Sequence, residues 1–223
     1  MVQEMDFLKQ GELEHDAQWV NGELHTLVKR YYRIKQSWEI PYVNGKEHGI
    51  IKGYHYNGQI KCKIPYVNGI KHGTEKRYYD NGQLASERTY IDGKIDGVAK
   101  GYYENGKLLW QSYYVKDKEH GLYTEYYYDC RIFIETPYID GKKHGIETWY
   151  YKTGEIRSKG QFINGEADGI ARWYHKNGKL KIEIPWVKGF VHGIEKEYYE
   201  NGELKSETKY LNGKVHDNII LNS

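Results

Sequence analysis

The sequence lacks long apolar stretches, and it contains few cysteines, prolines and phenylalanines. No run of about 18 apolar residues occurs, so we expect no transmembrane helix. Residues 1–10 show no signal-peptide pattern, which predicts a cytoplasmic protein, although a leader cleaved before Met1 would leave the same sequence. Two cysteines allow one disulfide at most and are compatible with a reducing compartment.

No sign of charge dominates the chain. The 33 lysines and arginines and the 31 aspartates and glutamates interleave, and they leave a net charge of +2. Proteins that bind nucleic acid or anionic membranes cluster their basic residues instead. We therefore expect no nucleic-acid partner, and the charge balance argues against a membrane surface as partner.

Tyrosine is abundant where phenylalanine is scarce, with 24 tyrosines against 4 phenylalanines. A ring that carries a hydroxyl suits a surface that is half dry and half wet. Hydrophobic residues make up only 39% of the chain. This composition favours a thin structure with much surface over a domain with a thick core.

A 24-residue repeat organises nearly the whole chain. Full copies open at an aromatic residue, namely Tyr42, Tyr66, Tyr90, Tyr114, Tyr138, Phe162, Trp186 and Tyr210. An earlier copy, one residue short, opens at Trp19, and half a copy precedes it. Positions are numbered 1 to 24 below, starting from the opening aromatic residue. A repeat of this length predicts a stack in which each copy contacts only its neighbours.

Each copy is predicted to form two antiparallel strands. Asn-Gly stands at positions 16 and 17 in five copies, as in Asn81-Gly82, and is a strong signal for a two-residue hairpin turn. Such a turn pairs position 14 with 19, 13 with 20, 12 with 21, 11 with 22, 10 with 23 and 8 with the next opening aromatic. Opposite charges at positions 11 and 22, such as Lys76 and Glu87, support this register.

A four-residue loop at positions 3 to 6 is expected to return the chain to the next strand. All four prolines, Pro41, Pro65, Pro137 and Pro185, occupy position 24 inside the second strand. Proline has no N–H to donate to the hydrogen-bond ladder of a sheet. We therefore expect either that the strand ends at position 24 or that a bulge lies there. The sequence leaves these two alternatives open.

The predicted fold class is therefore all-β, an elongated single-layer antiparallel meander or solenoid of stacked hairpins. We expect three parts: a half repeat or cap at residues 1–18, eight repeats at 19–209 and a partial repeat or cap at 210–223. An uncovered terminal strand can pair with another chain. The terminal repeats thus predict a homodimer formed end to end.

The repeat resembles a known family. An aromatic-x-x-Gly-x-x-x-Gly pattern followed by Tyr-Tyr-x-Asn-Gly-x-Leu is similar to the MORN repeat in its bacterial variant form; one example opens at Trp186 with Gly189 and Gly193. The likeness covers roughly residues 7–217. Long arrays of this kind look like the YwqK family antitoxins, which are proposed to neutralise a partner toxin. The resemblance implies stacked β-hairpins with an aromatic groove that binds protein segments, and it brings no catalytic residues.

No motif in the sequence indicates an enzyme, a metal or a cofactor. Histidine occupies position 7 in seven copies: His25, His48, His72, His120, His144, His192 and His216. Successive members would lie about 9.6 Å apart, too far for two ligands of one zinc ion. We expect these histidines to have a structural role beside the glycine that follows them in each turn. No phosphate-binding loop or nucleophile motif occurs, so we expect a protein without catalytic activity, metal or cofactor.

Two sets of residues are candidates for partner binding. Tyrosine fills position 13 in eight copies and includes Tyr78, Tyr150 and Tyr174; these rings either join the copies or form an adhesive surface. In the middle copies, Leu109 and Phe133 replace the charged residues that usually stand at position 20. The predicted register places them on one face with Val98, Tyr102, Tyr113, Leu122 and Tyr126 as an exposed apolar patch, unless the ends of the array cover it.

The function that we expect is the binding of a protein partner, either a toxin or a peptide segment. The most specific form is an antitoxin or immunity-type protein that neutralises a partner toxin. The alternative is a membrane- or surface-associated scaffold that organises other proteins, since eukaryotic relatives of the repeat have been tied to membrane lipids.

Overall fold

The computed structural model describes residues 13–14, 18–32 and 35–220, and this part of the chain contains strands and turns but no helix. Contacts divide the chain into two units. Unit 1 comprises Met1–Leu108 and Tyr114–Asp117, and unit 2 comprises Leu109–Tyr113 and Lys118–Ser223. In each unit the strands form consecutive antiparallel hairpins, and in unit 1 the strands β2 and β3 form a separate two-stranded sheet, which confirms the predicted all-β fold class.

The strands follow one another along the chain, two long strands and usually one short strand for each copy. The strands that begin in unit 1 are β1 (Leu13–Glu14), β2 (Trp19–Val20), β3 (Glu23–Leu24), β4 (Leu27–Tyr32), β5 (Lys35–Val43), β6 (Lys46–Glu47), β7 (Gly49–Tyr54), β8 (Ile60–Val67), β9 (Ile70–Lys71), β10 (Gly73–Tyr78), β11 (Leu84–Ile91), β12 (Lys94–Tyr102) and β13 (Leu108–Val115). Unit 2 continues with β14 (Lys118–Glu119), β15 (Gly121–Tyr126), β16 (Ile132–Ile139), β17 (Lys142–Lys143), β18 (Gly145–Tyr150), β19 (Ile156–Ile163), β20 (Glu166–Ala167), β21 (Gly169–Tyr174), β22 (Leu180–Val187), β23 (Phe190–Val191), β24 (Gly193–Tyr198), β25 (Leu204–Leu211) and β26 (Lys214–Ile220).

The central register of each hairpin matches the prediction. In the hairpin of β10 and β11, Lys76 lies opposite Glu87 and Gly73 lies opposite Tyr90. The same pairs of positions recur in the hairpins β7–β8, β15–β16, β18–β19, β21–β22 and β24–β25. Position 11 therefore pairs with 22, and position 8 pairs with the next opening aromatic.

Charge pairing follows this register. The Nε atom of Arg172 lies 2.8 Å from an oxygen of Glu183 across the hairpin of β21 and β22. Lys52 faces Lys63 within its own hairpin, but its Nζ atom lies 2.9 Å from a carboxylate oxygen of Glu39 on β5. Glu39 on the neighbouring strand β5 thus offsets the repulsion between Lys52 and Lys63.

The hairpin tips differ from the prediction. Tyr78 pairs with Leu84, so position 13 faces 19, and position 20 is the extra residue of a β-bulge. The predicted pairs 13–20 and 14–19 are wrong. Among the tip residues only the glycine has a positive φ, 84° at Gly82, and its N–H donates to the carbonyl of Tyr79 at 3.0 Å. This is the turn of a longer hairpin loop with a glycine bulge, and Asn81 keeps an ordinary conformation.

The tight two-residue turn lies at positions 3 and 4 instead. Asn68 has φ 51° and Gly69 has φ 82°, and Val67 pairs with Ile70 across them. Two consecutive positive φ values are the mark of a type I′ turn, for which asparagine, aspartate and glycine are suited. The predicted four-residue loop is therefore wrong, because a short strand at positions 5 and 6 follows this turn directly.

Proline at position 24 lies within a continuous strand. Pro65 pairs with Ile50 inside β8, and its carbonyl accepts a 3.1 Å hydrogen bond from the backbone N–H of His72. In a strand, the N and C=O of one residue point to the same neighbour. The missing N–H therefore faces the point where β9 ends and β10 begins, so the interruption lies in the adjacent strand.

Hydrogen bonds tie each copy to the next at both ends of its hairpin. At the type I′ turn, the glycine N–H donates to the carbonyl at position 6 of the preceding copy, as Gly93 does to Lys71 at 2.8 Å. At the tip, the side chain at position 14 donates to the carbonyl at position 13 of the next copy. Tyr79 donates to the Tyr102 carbonyl at 2.6 Å, and His55 Nε2 lies 2.8 Å from the carbonyl of Tyr78. Tyrosine and histidine both serve here because both can donate at this reach.

Side chains alternate between two faces of each sheet. We call the face that carries positions 1, 10, 12, 21 and 23 the front face, and the face that carries 2, 9, 11, 13, 22 and 24 the back face. The buried core of unit 1 lies on the front face and consists of Val28, Ile40, Ile51, Cys62 and Ile64. The front face of unit 2 is built differently and carries the site described next.

Candidate functional site

The residues of the predicted apolar patch are divided between the two units. Val98 and Tyr102 belong to unit 1, and the other five belong to unit 2. On the back face, Val98, Tyr113 and Leu122 are 44%, 43% and 49% exposed. Tyr102 and Tyr126 are half-buried there, and Leu109 is half-buried on β13.

Phe133 faces away from this group, which corrects the prediction that it lies with Leu122 and Tyr126. The bulge that pairs Tyr126 with Ile132 makes Phe133 the extra residue of its hairpin. Its ring packs edge-on against Trp149, with ring centres 5.0 Å apart, and lies 4.9 Å from Tyr127. Because Trp149 is a front-face residue, Phe133 also belongs to the front face.

From Tyr54 to Tyr198, the tyrosines at position 13 lie half-buried on the back face, beside position 22 of the preceding strand. Tyr102 donates to Glu87 at 2.8 Å, and Tyr150 donates to Glu135 at 2.7 Å. Burial, and then the bond to the carboxylate, raises the pKa of both phenols to about 12. Tyr78 and Tyr174 each lie under a lysine of the preceding strand. These contacts favour the reading in which the column joins neighbouring copies.

An open cleft lies on the front face of unit 2, within the strands β18 to β22. Its volume is about 430 Å³. The walls are four aromatic side chains, namely Trp149, Phe162, Trp173 and Trp186. We call this feature the aromatic cleft. A concave and mostly apolar site of this size is typical of a binding site for a side chain or a small ligand.

The cleft exists because small residues occupy front-face positions that carry large side chains in other copies. Gly160 and Ala171 face each other across β19 and β21, and a Cβ atom on Gly160 would lie 3.4 Å from that of Ala171. Ser158, Ala167 and Gly169 complete the floor. In unit 1 the corresponding positions of β7 and β8 hold Ile51 and Ile64, which fill the space. The small residues at these positions therefore leave the floor of the cleft open.

One wall of the cleft is held in place by a buried carboxylate. Glu147 is 8% exposed and accepts a 2.9 Å hydrogen bond from the indole N–H of Trp149. Its other oxygen accepts a bond from Thr136 at 2.9 Å and pairs with Lys143. Every partner of this carboxylate is thus a donor from the same sheet, which fixes the indole ring before any ligand binds.

The lining of the cleft is mainly aromatic and contains few polar side chains. In the part of the chain that the structure describes, no three His, Cys, Asp or Glu side chains lie together as a metal site. Arg157 lines the cleft and is exposed, and Gln161 is a second polar residue of the lining. Aromatic walls with a few polar groups at the edge hold an apolar side chain while leaving its backbone accessible.

The histidines at position 7 act within the turns. His48 Nδ1 lies 3.2 Å from the side-chain oxygen of Asn68, which is position 3 of the next copy. His72 and His120 lie 3.5 Å and 3.9 Å from Asp92 and Asp140 in the same way. Each contact joins one type I′ turn to the next. This matches the expected role beside the turns.

The aromatic cleft was missed by the sequence-based interpretation, which placed the binding surface on the opposite face. A signal was present in the sequence. Three tryptophans and a phenylalanine stand at positions 1 and 12 of adjacent copies, while Gly160 and Ala171 stand between them at positions 23 and 10. Large residues around consecutive small ones on one face indicate a cleft, once the register is known.

Comparison with known families identifies a repeat family. The family model described as "MORN repeat variant" matches residues 47–68, 71–92, 95–116, 143–164, 167–188 and 191–212, more than half of the chain. The copy between residues 117 and 142, which contains Phe133, lies outside these matches. The matched stretches 143–164 and 167–188 contain the residues that line the cleft.

The remaining comparisons add no functional information. No curated protein matches the chain. One solved structure, titled "Crystal structure of GtfA/B complex bound to UDP and GlcNAc", is 14% identical with a TM-score of 0.25, and the match covers 56% of this chain and 24% of that one. The chain thus spans about a quarter of that protein's length, and a likeness at this score carries no argument. Within the described residues, no helix has the length and apolarity needed to cross a membrane.

Proposed function

Since the chain belongs to the MORN repeat variant family, we propose that it is a non-catalytic repeat protein that binds a segment of a partner protein in the aromatic cleft. An apolar side chain of the partner enters between Trp149, Phe162, Trp173 and Trp186 and rests on the floor formed by Gly160 and Ala171. The partner backbone then lies along the front face.

The observation that carries this proposal is the cleft itself. It combines four aromatic walls, a floor of glycine, alanine and serine, and a volume of about 430 Å³, which fits one or two large side chains. Trp149 is fixed by Glu147 before binding, so little conformational entropy is lost there on association. Buried aromatic anchors of this kind dominate the energetics of protein interfaces.

Filling the cleft tests the proposal. Gly160→Leu places a branched side chain on the floor, and Gly160 has no positive φ that would strain it. We expect capture of the partner from native cell extract to fall at least about 10-fold, while the free energy of unfolding changes by less than about 1 kcal/mol.

Gly160→Ala is the matched control, because its methyl group makes only an ordinary contact with Ala171. It should capture the partner like the wild type. Equal capture by wild type, Gly160→Leu and Gly160→Ala would remove the cleft as the binding site. A partner captured by the wild type and by Gly160→Ala, but not by Gly160→Leu, would support the cleft as the binding site.

The most specific form of this function is an antitoxin or immunity-type protein that neutralises a partner toxin. It is supported by the resemblance of the long array to the YwqK family antitoxins. Co-expression with the product of a neighbouring gene tests it through cell growth. We expect the wild type to restore growth and Gly160→Leu to fail; a neighbouring gene product that never impairs growth would argue against this form.

A further inference from the structure

The back face of unit 2 carries a second surface feature, a row of exposed aliphatic side chains beside the type I′ turns. We call it the aliphatic stripe. It consists of positions 9 and 2 of successive copies, namely Leu122, Ile139, Ile146, Ile163, Ile170, Val187, Ile194 and Leu211. Each of these side chains is between 39% and 57% exposed.

The register joins these residues into one surface. Position 9 pairs with position 24 across each hairpin, as Leu122 does with Pro137 and Ile170 with Pro185. Position 2 lies two residues further along the same strand and therefore on the same face. The intervening residues at position 24 are the apolar Pro137 and Pro185 in two hairpins and the polar Gln161 and Lys209 in the other two.

The stripe has a defined border. The next row on the back face consists of positions 11 and 22, where Arg172 pairs with Glu183 and Lys196 pairs with Glu207. An exposed, contiguous apolar surface rimmed by polar groups usually marks a contact with another molecule. Single exposed aliphatic residues need no explanation, but one at every position 9 and 2 of unit 2 does.

We propose that the stripe is the interface of a homodimer, in which the back faces of two copies of unit 2 pack against each other. The proposal is independent of the cleft, because the stripe and the cleft lie on opposite faces. A two-fold interface presents the same patch on both partners, and sheets packed face to face lie about 10 Å apart.

The exposed area is of the size that a dimer needs. A fully exposed aliphatic residue has an accessible area of about 180–200 Å², so the eight side chains of the stripe present roughly 700 Å², close to the ~800 Å² per partner of a standard interface. The polar residues at the border add to this area. The stripe alone is thus nearly sufficient for a stable dimer.

The period of the stripe selects a second copy as its partner. Position 9 and position 2 each form a row in which one apolar residue recurs per hairpin, about every 9.6 Å along the stack. A helix presents its apolar residues once per turn, about 5.4 Å, and loses register with the stripe within two or three turns. A second copy of this chain has the same period, so its side chains fit the stripe at every hairpin.

The charges beside the stripe are also those of a protein interface. Glu183 and Glu207 lie next to the cations that they pair with, so the bordering row is neutral. Packing on a bilayer would bring these carboxylates toward anionic headgroups. Against a second copy, paired charges of both signs remain at a solvated rim, where they cost little.

Analytical ultracentrifugation of the full chain tests the proposal. We expect the wild type to sediment as a dimer at tens of micromolar, and the variant Ile146→Lys with Ile170→Lys to sediment as a monomer. Burying two unpaired ammonium groups from each chain in an apolar interface should raise the dissociation constant on the order of 100-fold or more. Ile156→Lys is the matched control, because Ile156 is an exposed aliphatic residue outside the stripe, and it should remain a dimer.

The double variant must be shown to fold, by circular dichroism and its urea midpoint. If it does not, Ile146→Thr with Ile170→Thr keeps the β-branched residues that strands favour and should weaken the dimer in the same direction. A wild type that stays monomeric, or a folded double variant that dimerises like the wild type, would overturn the proposal. The proposal would also be overturned if the wild type were monomeric and sedimented with phosphatidylcholine–phosphatidylglycerol vesicles while the double variant did not.

Discussion

At the scale of single residues, the asparagine at the hairpin tip holds two copies together. The side-chain oxygen of Asn81 accepts a 2.9 Å bond from the N–H of Gln83, and its amide nitrogen donates to the carbonyl of Glu104 at 3.2 Å. Asn57 and Asn177 make the same bond to the next copy. The residue type at position 16 is thus explained by its hydrogen bonds, since its backbone conformation is ordinary.

Asn81→Ala should therefore lower the free energy of unfolding by about 1–2 kcal/mol, because two hydrogen bonds are lost. Urea denaturation measures this change. Glu104→Ala is the control, since only its backbone carbonyl accepts the bond, and it should change stability by less than about 0.5 kcal/mol. A cost for Asn81→Ala as small as that of the control would show that the tip bond between copies contributes nothing.

At the scale of one element, the glycine at position 8 lets the strand pass the proline ring of the preceding strand. Gly73 has φ 105°, and a Cβ atom there would lie 3.2 Å from Cγ of Pro65. Gly73→Ala should cost roughly 2 kcal/mol or more in denaturation experiments, because it adds both backbone strain and a close contact. Gly160→Ala has neither problem and should cost little. Equal effects of the two would contradict this account of the strand break.

The sequence alone predicted the strand register correctly in the inner part of each hairpin, but not at the two ends of the hairpin. Opposite charges and large–small pairs determine the register, as Lys76 with Glu87 and Trp149 with Ser158 show. The turns were assigned wrongly because Asn-Gly occurs both at the tips and at positions 3 and 4. The dipeptide alone does not tell a type I′ turn from a glycine bulge.

That error carried over to the candidate site. An unrecognised bulge moves position 20 to the other face, which is why Phe133 was placed with Leu122. The aromatic cleft could not be located before the register of the front face was known. Its open volume depends on which side chains surround Gly160 in space, and the order of residues along the chain does not give that.

At the scale of the whole molecule, many tyrosines act together on stability at alkaline pH. Burial, and then hydrogen bonds to glutamates, raises the pKa of Tyr54, Tyr102 and Tyr150 from 10.0 to about 12. The folded chain therefore holds these protons more tightly than the unfolded chain. Their contribution to stability is complete below pH 10 and is lost as the pH rises from 10 toward about 12.

We expect the free energy of unfolding, measured with urea, to fall steeply between about pH 10 and 12. Replacing Tyr102 and Tyr150 by phenylalanine should make this fall less steep, since each removes one group that loses a proton mainly in the unfolded chain. The variants also lose their bonds to Glu87 and Glu135 and should be less stable at neutral pH. An unchanged slope would contradict the raised pKa values.

The two faces of unit 2 carry different features on one set of strands. The aromatic cleft on the front face is proposed to hold a partner segment, and the aliphatic stripe on the back face is proposed to hold a second copy. Because neighbouring side chains alternate between the faces, a substitution on one face leaves the other largely unaffected. Ile146→Lys with Ile170→Lys should thus abolish the dimer without preventing capture of a partner.

Selection of displayed random peptides on the immobilised chain tests the central claim most directly. Wild type, Gly160→Leu and Gly160→Ala would be used side by side. We predict that the wild type and Gly160→Ala enrich the same peptides, each with an apolar or aromatic anchor, and that Gly160→Leu retains none of them. Peptides that are enriched equally on all three chains would contradict the assignment of the aromatic cleft as the binding site.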